Sequence, residues 1–289
     1  MEASIARTLW ATAEPLHALT YFAPEVRAAT EAAGLRGFWR GYFATRAAPL
    51  GAVGPGPVTA AFYNFAPTMV ARAVPGVWVS TPPARAWAAR LDGIDAALEA
   101  CFGGRPGSDD ALAEAADLAV EAVAGAPVEG RVLGAAYAGL PWPASPRLAL
   151  WQALTVLREL RGDGHNAALL AAGIDGCAAH VLFAATGGSA RGVTQPNRGW
   201  TDEDWDAAAG RLADRGLIDG ERTATEAGHA RRAGVEAATD RLAAGPWAAL
   251  GPTRTERLRA LLAPLSQAVV GAGIVPVPNP IGSPWPPPR

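Results

Sequence analysis

The chain is 289 residues long, 50% apolar and 18% charged, which is enough for a large buried core and exceeds the usual size of one domain. Its formal net charge of -2 excludes a global attraction to nucleic-acid phosphate or anionic lipid, so affinity for either has to come from a local cluster. The two cysteines, Cys101 and Cys177, are far apart and lack CxxC spacing, which points to neither a disulfide framework nor a zinc site.

Apolar residues recur at spacings of three and four with little period-two alternation, so the fold is expected to be mainly α. In chain order the pattern predicts helices over Ser4–Leu19, Pro24–Ala33, Gly37–Ala47, Pro57–Val74 with an interruption near Pro67, and Pro83–Phe102. A turn at Gly103–Ser108 and a helix over Asp109–Ala124 follow. No long apolar run opens the chain, so neither a signal peptide nor a membrane span is expected, and the cytoplasm is the expected location. Three prolines in "GLPWPASPR", Gly139–Arg147, exclude a helix interior. They are read as the boundary between a helical domain, residues 1–139, and a second domain, residues 146–270. That second half is expected to hold helices Pro146–Leu160, His165–Ala172, Asp175–Thr186, Thr201–Arg215, Glu226–Leu242 and Thr253–Val270. Residues 271–289 form a proline-rich tail, expected to lie extended over the body or loose in solvent.

The segment "WTDEDWDAAAGRLADRGLIDGERTATEAGHARR" has the most distinctive pattern. Thr201 followed by Asp204 makes a capping-box start, and Trp205, Ala208, Ala209 and Leu212 share an apolar face. "RGLID" then ends the helix at Gly216, "GER" makes a tight turn and "TATEAG" starts the next helix. This order predicts a winged-helix-like module with a short β-hairpin wing. It is similar to regulators of the multiple-antibiotic-resistance type, where a comparable "GLI" follows the recognition helix. Upstream, "HNAALLAAGIDGCAAHVLFAATG" resembles a helix-turn-helix with Gly173 at the turn. Together with "RGDGH", "RAAPLG" and "FYNFAP", the arrangement resembles the SalK-like helix-turn-helix family of actinobacteria, a label that implies a fold and no reaction. The exclusive use of arginine for all 25 basic residues fits the GC-biased coding of such organisms.

The chemistry of the segment opposes routine DNA reading. Early positions of a recognition helix meet bases and phosphates, where Arg, Lys, Asn or Gln are needed. Here they are Asp202, Glu203, Asp204 and Asp206, which equally serve to solvate the face and favour the helix N-terminus through its dipole. Arg198, Arg211, Arg215 and Arg222 are the cations left for a DNA contact.

The first half sets polar groups in apolar sequence: His17, Tyr21, Arg40, Tyr42, Arg46, Tyr63, Asn64 and Arg72. A guanidinium at Arg46 needs a carboxylate, several carbonyls or an anionic ligand, and Glu25 and Glu14 are the expected internal partners. His17 and Tyr21 share a helix face and form either a core hydrogen bond, an acid–base couple or, through His17, an axial ligand for haem. Asn64 sits beside the break at Pro67, where it lines a cavity or stabilises the break. In "ELRGDGH" Asp163 is expected to cap a helix starting at His165, and an Asp–His pair can also move protons. Cys177 and His180 would supply two of the four ligands a metal normally takes, and no GxSxG, HExxH, Walker or dinucleotide motif is present.

The residues expected to bind ligand are therefore His17, Tyr21, Tyr42, Arg46, Tyr63 and Asn64. The first reading is a small-molecule-binding helical protein with a degenerate winged-helix half, taking a small ligand, with an anion as one candidate, in actinobacterial secondary metabolism. The alternative is a ligand-responsive DNA-binding regulator, and a third is a haem-dependent or acid–base enzyme. A homodimer through Thr253–Val270 is an expected assembly.

Overall fold

A computed structural model describes residues 2–103, 108–277, 279, 281–282 and 284–288. Sixteen α-helices are found among them. The first half runs α1 (Glu2–Phe22), α2 (Pro24–Ala32), α3 (Phe38–Ala47), α4 (Pro55–Phe62), α5 (Pro67–Ala71), α6 (Val77–Ser80), α7 (Pro83–Phe102), α8 (Ser108–Ala124) and α9 (Val132–Ala138). The second runs α10 (Pro146–Ala171), α11 (Gly176–Ala185), α12 (Arg191–Thr194), α13 (Asp202–Asp214), α14 (Glu226–Leu242), α15 (Gly245–Leu250) and α16 (Pro252–Gly271). Proline stands in the first turn of α2, α4, α5, α7, α10, α15 and α16, where its fixed φ suits the helix and its missing N–H costs nothing. The turn expected at Gly103–Ser108 lies mostly outside the described residues.

Two hydrophobic cores form. One gathers Leu16 through Leu160 and takes back Leu258, Leu262 and Val269 of α16, whose apolar face packs on α1 and α8 of the same chain. The other gathers Ala168 through Val235 around Ile174, Trp205 and Leu212. Helix α10 belongs to both, with Trp151 and Leu154 in the first core and Ala168 and Leu169 in the second. It meets α11 at 90°, and no single helix among the described residues is long and apolar enough to cross a membrane.

Two expectations are corrected. The break expected within "ELRGDGH" does not occur: α10 runs unbroken from Pro146 to Ala171. Asp163 does not cap a helix at His165; its Oδ2 accepts from the Gly134 N–H in the first turn of α9, at 2.8 Å. The β-hairpin wing is also absent: no strand or sheet is present among the described residues, only one antiparallel bridge between Ile218 and Ala224. Local bonds divert the backbone from a ladder. Asp219 Oδ1 accepts from the N–H groups of Glu221 and Thr223, and Ala224 N–H donates to the Ala185 carbonyl of α11. Among the described residues the fold class is mainly α, with no wing.

The halves meet where α11 starts on the loop after α4. Tyr63 donates its hydroxyl to the Ile174 carbonyl at 2.6 Å, and a Cβ on Gly176 would lie 2.1 Å from the Tyr63 carbonyl oxygen. Only glycine permits that approach. Gly176→Ala is expected to push the halves apart and cost about 1–3 kcal/mol, measured by urea unfolding.

Candidate functional site

A cavity of about 250 Å³ lies between the halves, walled by α3, the loop after α4, α10, α11, α12 and α14. Ile281 and Gly282 of the tail complete it, so this part of the tail is a strap over the body. Tyr42 and Arg46 reach it because they are four residues apart on α3 and share a face.

Arg46 is buried and its partner is neither Glu25 nor Glu14. Its Nε and Nη2 donate to the two carboxylate oxygens of Glu159 on α10, at 2.9 and 2.8 Å, and its Nη1 donates to the Tyr42 hydroxyl at 2.9 Å. The guanidinium also lies 4.2 Å over the Phe62 ring. Arg158 adds a second cation 3.2 Å from Glu159 and reaches Glu14 at 3.6 Å. Burial alone would push Glu159 up, but Arg46 and Arg158 overcome it and hold the carboxyl well below the usual carboxylate range. Glu14, with Arg158 farther off, is pushed up by burial.

The remaining wall mixes apolar groups with polar ones, among them Asp163, His165 and His180. Burial raises Asp163 to about 6 against the Gly134 hydrogen bond, and lowers His165 to about 4 and His180 to about 3. The Thr239 hydroxyl donates to the Val235 carbonyl, so its oxygen accepts from His165 Nδ1 at 2.9 Å and Nε2 carries the lone pair. His180 Nε2 donates to the Asn64 carbonyl at 3.1 Å, which Trp200 Nε1 also reaches at 3.0 Å. Asn64 Oδ1 and Thr194 Oγ1 are buried and have no hydrogen-bond partner among the described residues. Both residues line the cavity.

Of the residues expected to bind ligand, Tyr21, Tyr42, Arg46 and Asn64 come together here, while His17 and Tyr63 do not line this cavity. The His17 ring is stacked on Trp151, with Nδ1 bonded to Thr155 and Nε2 to the Tyr21 hydroxyl, both at 3.1 Å. Thr155 gives its proton to the Trp151 carbonyl, so Nδ1–H donates to Thr155 and Nε2 accepts from Tyr21. An iron at Nε2 would have to displace Tyr21. Sequence reasoning missed Glu159 and Thr194 and gave Asp163 and His165 other roles. The available signal was a polar stripe, Glu159, Asp163 and Asn166, at helical spacing on α10.

The helix pair α11 and α13 packs at its own core, with Asp175 capping α11 and a reciprocal Thr201–Asp204 capping box opening α13. Its arginines are tied inward. Arg211 pairs with Asp175 at 2.7 Å, Arg222 with Asp206 at 2.8 Å, and Arg215 donates to the Gly173 and Ala172 carbonyls. Arg198 lies 4.8 Å over Phe65 and lines the cavity. Arg191 bridges Asp202 and Asp206, at 2.5 and 3.2 Å, so two of the four acids at the start of α13 are neutralised in place.

The sequence pattern of a helix-turn-helix family matches residues 6–276, nearly the whole chain. The protein belongs to this helix-turn-helix family. No curated protein and no solved structure matches the chain. The family match spans both cores, so it covers the α1–α9 body as well as the α11–α13 pair.

Proposed function

We propose that the protein is a ligand-responsive DNA-binding regulator, akin to the SalK-like and multiple-antibiotic-resistance-type proteins its motifs resemble. A small molecule in the cavity between the halves sets how the helix pair is held. The observation that carries this reading is the placement of the cavity wall: His180 of α11, and Thr194 and Arg198 of the segment leading into α13, line the same space as Arg46 and Asn64 of the first half. An occupant therefore touches both halves, and the unsatisfied Asn64 Oδ1 and Thr194 Oγ1 offer it hydrogen bonds.

The bridging of Asp202 and Asp206 by Arg191 and Arg222 lowers the repulsion that α13 would present to phosphate. The exposed middle of α13 carries Ala207, Gly210 and Ala213, which give no hydrogen bonds to base edges. Binding is thus expected to rest on backbone contacts with modest sequence preference. A labelled duplex from the protein's own upstream region should bind in an anisotropy titration and lose about tenfold or more in affinity between about 50 and 200 mM salt. Absence of binding at the low salt would sink the DNA output. It would leave a second reading, a small-molecule-binding protein whose helix pair is scaffold, which the exposed Glu203 and the inward-tied Arg211 and Arg215 favour.

A further inference from the structure

A second cavity, of about 320 Å³, lies on the other side of Tyr21, Tyr42 and Arg46, among α1, α2, α3 and α7. Arg90 of α7 stands in its wall and is only 1% exposed. Its Nε donates to Thr20 Oγ1 at 2.8 Å, and its Nη1 donates to the Tyr137 hydroxyl and, at 3.4 Å, to the Thr45 carbonyl. The guanidinium lies 4.9 Å over the Trp151 ring. Tyr137 gives its own proton to the Arg46 carbonyl at 3.0 Å, so it remains a neutral phenol.

Arg90 differs from the other deeply buried arginines. Arg46 is paired with Glu159 and Arg161 with Asp240, whereas Arg90 has no ion pair among the described residues and its Nη2 makes no hydrogen bond there. A buried cation without an anion is a costly arrangement, which a ligand that brings a counter-ion relieves. The cavity supplies no such counter-ion: Glu31 at its edge is paired with Arg27. The hydroxyls of Thr30 and Thr45 are spent on backbone carbonyls, and Phe22, Val26 and Phe38 make the rest of the lining apolar.

We propose that this cavity is a binding site for a small monocarboxylate with an apolar body, its carboxylate paired to Arg90 and its body against Phe22 and Phe38. With Nε and Nη1 already bonded, the N–H groups of Nη2 are the donors left for one carboxylate. An apolar cavity of about 150 Å³ accommodates benzene, so the space here suffices for a ring and its acid side chain. The site lies in the first half and is independent of any DNA output.

Calorimetric titration of the full chain with phenylacetate, and with phenylacetamide as its uncharged isostere, tests the assignment. Phenylacetate is expected to bind, the amide to bind at least about tenfold more weakly, and Arg90→Met to lose about 10- to 100-fold in phenylacetate affinity. If Arg90→Met does not fold, Arg90→Lys, which keeps the charge but loses the Nη2 donors, should bind at an intermediate affinity. Asn64→Ala and Thr194→Val, in the cavity between the halves, should leave phenylacetate binding unchanged, so failure of this site and failure of the regulator reading are told apart. Equal binding of acid and amide, undiminished affinity in the Arg90 variants, or no binding of phenylacetate by the wild-type chain at about 10 mM would each overturn it.

Discussion

Glu159→Gln is expected to be the most destabilising single substitution at the site, costing about 3–5 kcal/mol of folding stability. The change removes one charge and almost no volume, so the cost is electrostatic. Glu159 is fully buried and is the carboxylate that pairs with Arg46 and, with Glu14 farther off, serves Arg158. Glutamine leaves both guanidiniums buried with a neutral acceptor between them, and Glu14, whose carboxyl burial pushes toward the protonated form, is poorly placed to replace it. The loss should lower the melting temperature by about 2–4 °C per kcal/mol in a chain of this size. Arg46→Met combined with Glu159→Leu removes the pair together and should recover most of the loss, because well-packed apolar groups compete with a buried ion pair. Both are read by urea unfolding. A Glu159→Gln variant within about 1 kcal/mol of wild type would mean that water in the cavity already solvates the pair.

The local parts of the fold were legible in the sequence and the long-range parts were not. The Thr201–Asp204 capping box and the first-turn prolines act within a few residues, so they read directly. "RGDGH" misled because two glycines and an aspartate mark a turn when only neighbours are considered. In the fold, Asp163 bonds to Gly134, 29 residues earlier, and a Cβ on Gly134 would lie 2.5 Å from a Leu160 side-chain carbon. Gly134 and this aspartate serve the seam between α9 and α10, while Gly164 makes room for Arg131 and Leu242. The wing failed for a similar reason: "LIDGERTA" has the residues of a hairpin, but Asp219 closes its own turn and Ala224 bonds to α11. At the site, the need of Arg46 for a partner was predictable from its apolar setting. That the partner stands 113 residues away on α10 depends on tertiary packing, which no local spacing encodes.

Acid is expected to unfold the chain well above the usual carboxylate range, because its buried imidazoles are held neutral. In an unfolded chain histidine takes up a proton near pH 6.5. Folded His165 resists until about pH 4 and His180 until about pH 3, and His17 is likewise held well below its ordinary value, in each case first by burial and then by nearby arginines, with Glu236 opposing at His165. Below pH 6.5 the unfolded state therefore binds more protons, so the stability present above that pH is lost as pH falls, by about 2 kcal/mol per imidazole between pH 6.5 and 5. Asp163 works in the opposite sense. Its folded value of about 6 lies above its unfolded one, so the folded state binds more protons between roughly pH 4 and 6 and gains stability there as pH falls. One carboxyl does not offset three imidazoles, and Glu159, held low by Arg46 and Arg158, adds a further acid-sensitive contribution below about pH 4.5. Urea midpoints should fall markedly between pH 7 and 5, less steeply in His165→Asn and His180→Gln and more steeply in Asp163→Asn. Equal wild-type midpoints at the two pH values would show that the imidazoles take up protons inside the folded chain, with the cavity between the halves open enough to water to solvate them.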